Sequence, residues 1–214
     1  MSEKKLDMSV VNVHIPGNVE NLALPDPALL QFYRNSENRI IWLDTEISED
    51  SLEYAKMIVQ WNLEDKMSNI PPEERKPIKI VIFSPGGDLE VNNCLVDTIM
   101  LSQTKVIGIN AGEAASSGCY IYLACHERLS FPNATFMIHQ GAGSFNGTYE
   151  QVVAAIINYQ RQIDELGEFV LSRTNIPDEV FAEHFSSDWY LSAEEALKYG
   201  ITHRIVNSLD EILD

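Results

Sequence analysis

Short, apolar, β-rich runs alternate along this chain with longer stretches of helical period. Arg39 to Leu43 (RIIWL), Ile78 to Phe83 (IKIVIF), Val106 to Ile109, Thr135 to His139 (TFMIH) and Ile201 to Val206 each read as a strand. The first two are almost continuously apolar, as buried parallel strands are. Ser48-Glu-Asp-Ser51 supplies a helix N-cap with acids in the first turn, and Leu52, Ala55, Ile58, Val59 and Leu63 follow at the spacing of one helical face. Further helices are expected over 28–34, 88–101, 148–173, 178–184 and 193–199. The last is opened by Ser192 with Glu195 in capping-box position. Residues 65–77 (DKMSNIPPEERKP) read as a polar, proline-rich surface loop. The alternation of strands and helices makes the fold α/β.

Residues 1–27 read as an irregular arm, because Pro16-Gly17 marks a turn and Pro25 and Pro27 disfavour a continuous helix. Strong structure resumes at once after 65–77, so residues 28–214 read as a single domain. The 214 residues carry a net charge of −17, which argues against nucleic acid and anionic lipid as partners. No apolar run approaches the ~18 residues of a membrane span, and the N-terminus lacks the apolar core of a secretory signal. A cytoplasmic protein is expected.

Cys94, Cys119 and Cys125 form an odd, unevenly spaced set, unlike a disulfide framework, and read as small buried apolar residues in a reducing compartment. Cys125-His126 has no second pair at ligand spacing, the five histidines are scattered, and HExxH is absent, so no metal is expected. The phosphate-binding patterns GxxxxGK[ST] and GxGxxG are absent too.

Four pieces of the sequence suit nucleophilic catalysis. Ala114-Ala-Ser116-Ser-Gly118 lets a serine oxygen project from a cramped turn, and a helix starting there would offer unpaired first-turn amides to an anion. Ser84-Pro-Gly-Gly87 ends a strand with paired glycines that can aim bare amides into a cleft. His139 follows a strand, and Asp188 sits in Ser186-Ser-Asp-Trp-Tyr190. Each also has a plain reading: close helix packing, a turn, a structural histidine, a loop acid or helix cap.

Together they match a family. From Ile40 to Val206 the chain resembles the proteolytic subunit of the Clp protease, with SPGG at 84–87, GEAASSG at 112–118, MIHQ at 137–140 and DWYLSAEEA at 188–196 in corresponding order. The resemblance implies a crotonase-like ββα spiral with a projecting handle helix, the handle region being about 141–173. It implies a serine endopeptidase of peptides and unfolded proteins, with Ser116 as nucleophile, His139 as base and Asp188 orienting the imidazole. The backbone amides of Gly87 and Ser117 correspond to the oxyanion hole, and Asp88, Leu89, Gln140, Gly141 and Ala142 to substrate-binding positions. The chain order Ser…His…Asp differs from that of α/β-hydrolases. The chain itself would hold no cofactor, ATP being used by a partner hexameric Clp ATPase. The family's two stacked heptameric rings would bury part of the apolar surface of 148–173 (Val152, Val153, Ile156, Ile157, Ile163, Leu166) between subunits.

The chain departs from the family pattern at several points. Ser117 replaces the usual Met after the nucleophile, and Gly141 and Ala142 replace Pro and a larger apolar residue. Lys79 and Val81 stand where relatives carry aromatics in an outer docking pocket for the unfoldase, and a lysine charge resisting burial predicts weaker docking. Ser187 and Trp189 flank Asp188, where many relatives place an arginine for contacts between rings. The alternative reading is a non-catalytic or divergent ring subunit. A Ser-Lys peptidase is disfavoured by MIHQ, and an acyl-CoA enzyme by a Ser/His/Asp set with no role there.

Overall fold

The β-branched runs assemble into one twisted sheet whose neighbours are almost all parallel. A computed structural model describes residues 26–213, so residues 1–25 of the expected arm lie outside it. The chain divides into two compact units, 1–34 and 35–214. In the first, the Asp26 carboxylate accepts the Ala28 N–H at 2.9 Å at the start of helix α1 (Pro27–Glu37).

The second unit contains β1 (Ile40–Leu43), α2 (Leu52–Met67), β2 (Ile78–Ser84), α3 (Leu89–Leu101), β3 (Val106–Ala115) and α4 (Ser117–Ala124). There follow β4 (Glu127–Ser130), β5 (Thr135–Ile138), α5 (Tyr149–Arg173), α6 (Asp178–His184), β6 (Trp189–Ser192), α7 (Ala193–Lys198), β7 (Arg204–Ile205) and α8 (Asp210–Leu213). Among the described residues the sheet has seven strands. Five run β1-β2-β3-β4-β7, while β5 pairs with β3 and β6 with β5. Only the β5–β6 pair is antiparallel. On one face Ile41, Leu43, Ile80 and Ile82 join Leu95, Ile99 and the wholly buried α4 in the main core.

The expected strand over Val106–Ile109 is instead ten residues long, because it serves two partners. Residues 107–110 pair with β4, and 113–115 pair with β5. Asn110 sits at the fork. Its amide donates to the Thr135 carbonyl at 2.9 Å and its oxygen accepts the Gly112 N–H at 3.0 Å, satisfying backbone groups that the diverging ladders leave unpaired. Ala114 and Ala115, read as part of the cramped turn around Ser116, are therefore strand. Strands β4 and β6 were not expected at all.

The loop expected from residue 65 begins later, since α2 continues to Met67. Its last turn buries Asp65, which takes two 2.7 Å bonds from Arg39 and one of 2.9 Å from Thr104 Oγ1. The Arg39 guanidinium, helped by Thr104, holds the Asp65 carboxyl below its ordinary range against the opposing effect of burial. Meeting that partner turns the helix so that Trp61 and Asp65 face inward, while Val59 and Leu63, placed on the apolar stripe, are exposed.

The far end of α4 is clamped by cations. Arg128 and Arg173 both donate to the Leu123 carbonyl, at 3.1 and 2.9 Å, and Arg173 also reaches the Cys125 carbonyl at 2.9 Å. Positive charge on unpaired C-terminal carbonyls is favourable, and here it fixes the helix whose first residue follows Ser116.

Candidate active site

Three adjacent strand ends bring the predicted chemistry together. The β3–β5 register pairs Ala115 with Met137, and the Ser116 N–H donates to the Met137 carbonyl at 2.8 Å. The antiparallel β5–β6 register pairs Ile138 with Trp189, so the next residues outward, His139 and Asp188, face each other. Ser116 Oγ lies 2.8 Å from His139 Nε2, and His139 Nδ1 lies 3.0 Å from Asp188 Oδ1. A neutral imidazole satisfies both contacts in one tautomer, with Nδ1–H donating to Asp188 and Nε2 accepting from the serine hydroxyl. Asp188 is 57 % exposed and His139 is only 20 % exposed. The β-rich Trp189-Tyr190-Leu191 run forms a strand and makes Asp188 the residue before it rather than a loop acid, but that run alone does not name β5 as the partner.

Ser116 has φ 51° and ψ −126°, a left-handed turn between β3 and α4. Such a conformation costs a non-glycine residue of order 1 kcal/mol or more, and surrounding bonds must hold it. The Ser116 carbonyl accepts from Cys119 at 2.8 Å and Tyr120 at 3.1 Å. Gly86 is equally constrained: at φ 99°, a Cβ there would sit 2.6 Å from Ser116 Cβ. Gly87, at φ 148°, lies beside Ile47, whose N–H donates to the Gly86 carbonyl at 2.8 Å and whose carbonyl accepts the Asp88 N–H at 2.9 Å. Those bonds leave the Gly87 peptide turned the other way. Its carbonyl accepts the Ser117 hydroxyl at 2.9 Å. Neither the Gly87 nor the Ser117 N–H donates to another group among the described residues.

A cleft of about 520 Å³ opens beside Ser116 and His139. Asp88, Leu89, Gln140, Gly141 and Ala142 all line it. Sequence reasoning missed Tyr120, Phe145 and Tyr159, whose aromatic character alone gave no pointer. The Tyr120 hydroxyl donates to the His139 carbonyl and accepts the His139 N–H at 3.2 Å, clamping the peptide that carries the imidazole. Burial pushes its phenol well above the ordinary tyrosine range, so it remains a neutral donor. Tyr159 meets the Phe145 ring edge-on at 5.5 Å and stands over Gly141, where a Cβ would lie 2.9 Å from its hydroxyl. Gly141 has φ 87°, a conformation proline cannot adopt, which accounts for the departure at that position.

Of the cysteines, Cys119 and Cys125 are buried as expected, and burial pushes both thiols up to about 12, so they remain protonated. Cys94, expected to be buried, is exposed on α3. Lys79 is nearly buried (9 % exposed) with its ammonium donating to the Ile212 carbonyl at 2.9 Å. Ile212 packs there against a small cluster of Val81, Ile109, Leu129 and Val206 on the outer face of the sheet. The charge that was expected to resist burial is satisfied by the C-terminal helix α8.

The family model described as Clp protease matches residues 30–209. The ATP-dependent Clp protease proteolytic subunit 2 of Pseudomonas aeruginosa is 28% identical over 183 residues, covering 79% of this chain and 90% of that protein. Subunit 3 of Rhizobium etli is 34% identical over 137 residues, covering 63% of this chain and 71% of its own length. Among solved structures, a point mutant of ClpP1 from Listeria monocytogenes superposes with a TM-score of 0.70 at 27% identity, covering 84% of this chain and 98% of that one.

Proposed function

The chain belongs to the Clp protease family and is a serine endopeptidase with the crotonase-like α/β fold, and we propose that Ser116, His139 and Asp188 are its catalytic triad. The observation that carries this reading is the unbroken series of contacts from Ser116 Oγ through the imidazole to Asp188, at 2.8 and 3.0 Å. His139 Nε2 removes the serine proton as Oγ attacks the scissile carbonyl carbon. The C–N bond breaks with that proton passing to the leaving amine, leaving an ester on Ser116. Water then repeats the sequence and releases the acid. Asp188 holds the tautomer and stabilises the imidazolium formed in each step. The free N–H groups of Gly87 and Ser117 receive the oxyanion, the second assisted by the N-terminal end of α4.

The test is reaction with a serine-directed fluorophosphonate followed by peptide mapping. Stoichiometric labelling at Ser116 alone is expected. A folded protein that fails to react there would be the non-catalytic ring subunit.

Ser117 has a part beyond its amide, since its buried hydroxyl ties the Gly87 carbonyl and so orients the neighbouring oxyanion donor. Ser117→Ala is expected to lower kcat by about tenfold, less than the ~10²-fold or more seen when a donor itself is removed, with KM little changed. Steady-state peptide hydrolysis checks this. A raised KM at unchanged kcat would place the hydroxyl in ground-state binding instead.

Asp88, Leu89, Gln140, Gly141 and Ala142 are proposed to bind the substrate on either side of the scissile bond. The subunit forms the proteolytic chamber of an ATP-dependent Clp protease; two stacked heptameric rings are the proposed assembly. Exposed Ile156 (49 %) and Ile157 (66 %) on α5 support the handle as a contact between subunits, because apolar surface of that kind is normally covered. A hexameric Clp ATPase is the proposed partner and user of ATP. Its docking surface would differ from that of relatives at Lys79 and Val81, where α8 now lies.

A further inference from the structure

The cleft beside Ser116 is acidic on one wall. Asp88, Leu89 and Glu90 run consecutively along it, immediately after Gly87. Asp88 is held in place, its Oδ1 accepting the Val91 N–H at 2.8 Å as the N-cap of α3. Glu90 lies in the first turn of the same helix, is exposed, and makes neither a hydrogen bond nor an ion pair among the described residues. Both acids stand at the N-terminal, positive end of a 13-residue helix, where negative charge is well placed. No lysine or arginine lines the described cleft, so nothing there neutralises them. The opposite walls are apolar or uncharged, including Tyr159, Phe145, Ile163 and Leu166.

We propose that Glu90, with Asp88 beside it, is a specificity-determining residue that selects a basic side chain next to the scissile bond. This rests on reading Ser116, His139 and Asp188 as the active centre. Glu90 is three residues from Gly87, so its Cα lies within roughly 11 Å of that of the proposed oxyanion residue. A long Lys or Arg side chain one or two positions from the scissile carbonyl spans such a gap. Arg adds a planar fork that can engage a carboxylate through two parallel bonds. An acidic side chain at the same place meets like charge and is disfavoured. The apolar walls still take the stem of a basic side chain, so the site accepts aliphatic residues and adds a preference on top.

The experiment uses the assembled full-length protein and fluorogenic peptides identical except for Arg, norleucine or Glu at each of the two positions on either side of the scissile bond. At one position the Arg peptide is expected to exceed the norleucine peptide in kcat/KM by about three- to tenfold, and the Glu peptide to fall below it, both effects shrinking at 1 M salt. Glu90→Gln is expected to bring the Arg-to-norleucine ratio close to one, and Glu90→Lys to invert the Arg-to-Glu order. The ratio is the readout because it cancels changes in assembly or in the amount of active enzyme. Ratios unchanged in both variants, or no Arg preference at any position in the wild type, would overturn the proposal. Failure of the wild type to react with a fluorophosphonate at Ser116 would remove the active centre itself and the proposal with it, a result distinct from an active enzyme without charge preference.

Discussion

Ser116→Ala is expected to reduce kcat for peptide hydrolysis by 10⁴-fold or more, on the order of what losing the nucleophile costs other triad enzymes. The fold should survive. Among the described residues the Ser116 hydroxyl hydrogen-bonds only to His139 Nε2, while the left-handed turn is held by backbone bonds to Met137, Cys119 and Tyr120 that alanine retains. Alanine is also no larger than serine, so the close approach of Gly86 is undisturbed. The measurement is steady-state hydrolysis beside a thermal melt of both proteins. Since a small contaminating protease can mimic residual activity, the variant should also be inert to fluorophosphonate. Activity near that of the wild type in a folded Ser116→Ala protein would rule Ser116 out. Neither buried cysteine could take its place, because both thiols stay protonated at neutral pH.

The parts of this site that depend on local sequence were legible, and the parts that depend on strand pairing were not. Paired glycines at 86–87 and small residues around Ser116 announce tight backbone, and both positions prove to have positive φ. The capping box at Ser192 and Glu195 was equally local, and it forms as expected. The proximity of Asp188 to His139, in contrast, comes from β6 lying antiparallel to β5, a long-range register that no window of neighbouring residues encodes. Only the resemblance to a family joined those two residues beforehand. The division of β3 between two partners is similar: it depends on Asn110 bridging to Thr135, 25 residues away. On α2, hydrophobic period suggested a face including Val59 and Leu63, but the Arg39–Asp65 pair fixes the helix rotation instead. A polar contact between distant segments overrode the apolar pattern there. Lys79 shows the same limit, because its partner is a carbonyl near the other end of the chain.

Asp188→Asn should be the second most damaging substitution, costing roughly 10³-fold in kcat, somewhat less than in a buried triad. The side chain keeps its size, so the loss reports on chemistry. Asp188 accepts the Nδ1–H of His139, leaving Nε2 free to accept from Ser116. An asparagine that presents its NH₂ group to Nδ1 favours the other tautomer, whose Nε2–H cannot remove the serine proton. Buried triads lose about 10⁴-fold through this exchange. Here the side chain is 57 % exposed and, among the described residues, only one of its oxygens is bonded, to the imidazole. An exposed asparagine can rotate to offer its oxygen, and solvent screens part of the lost charge, so the penalty should be smaller. Labelling of Ser116 by fluorophosphonate should slow in parallel with hydrolysis, since both need the serine proton removed. If Asp188→Asn lowers kcat less than about tenfold in the assembled protein, the tautomer of His139 is held by something other than Asp188. The clamp of Tyr120 on the His139 backbone fixes the position of the ring but not its proton, and so could not substitute for the carboxylate.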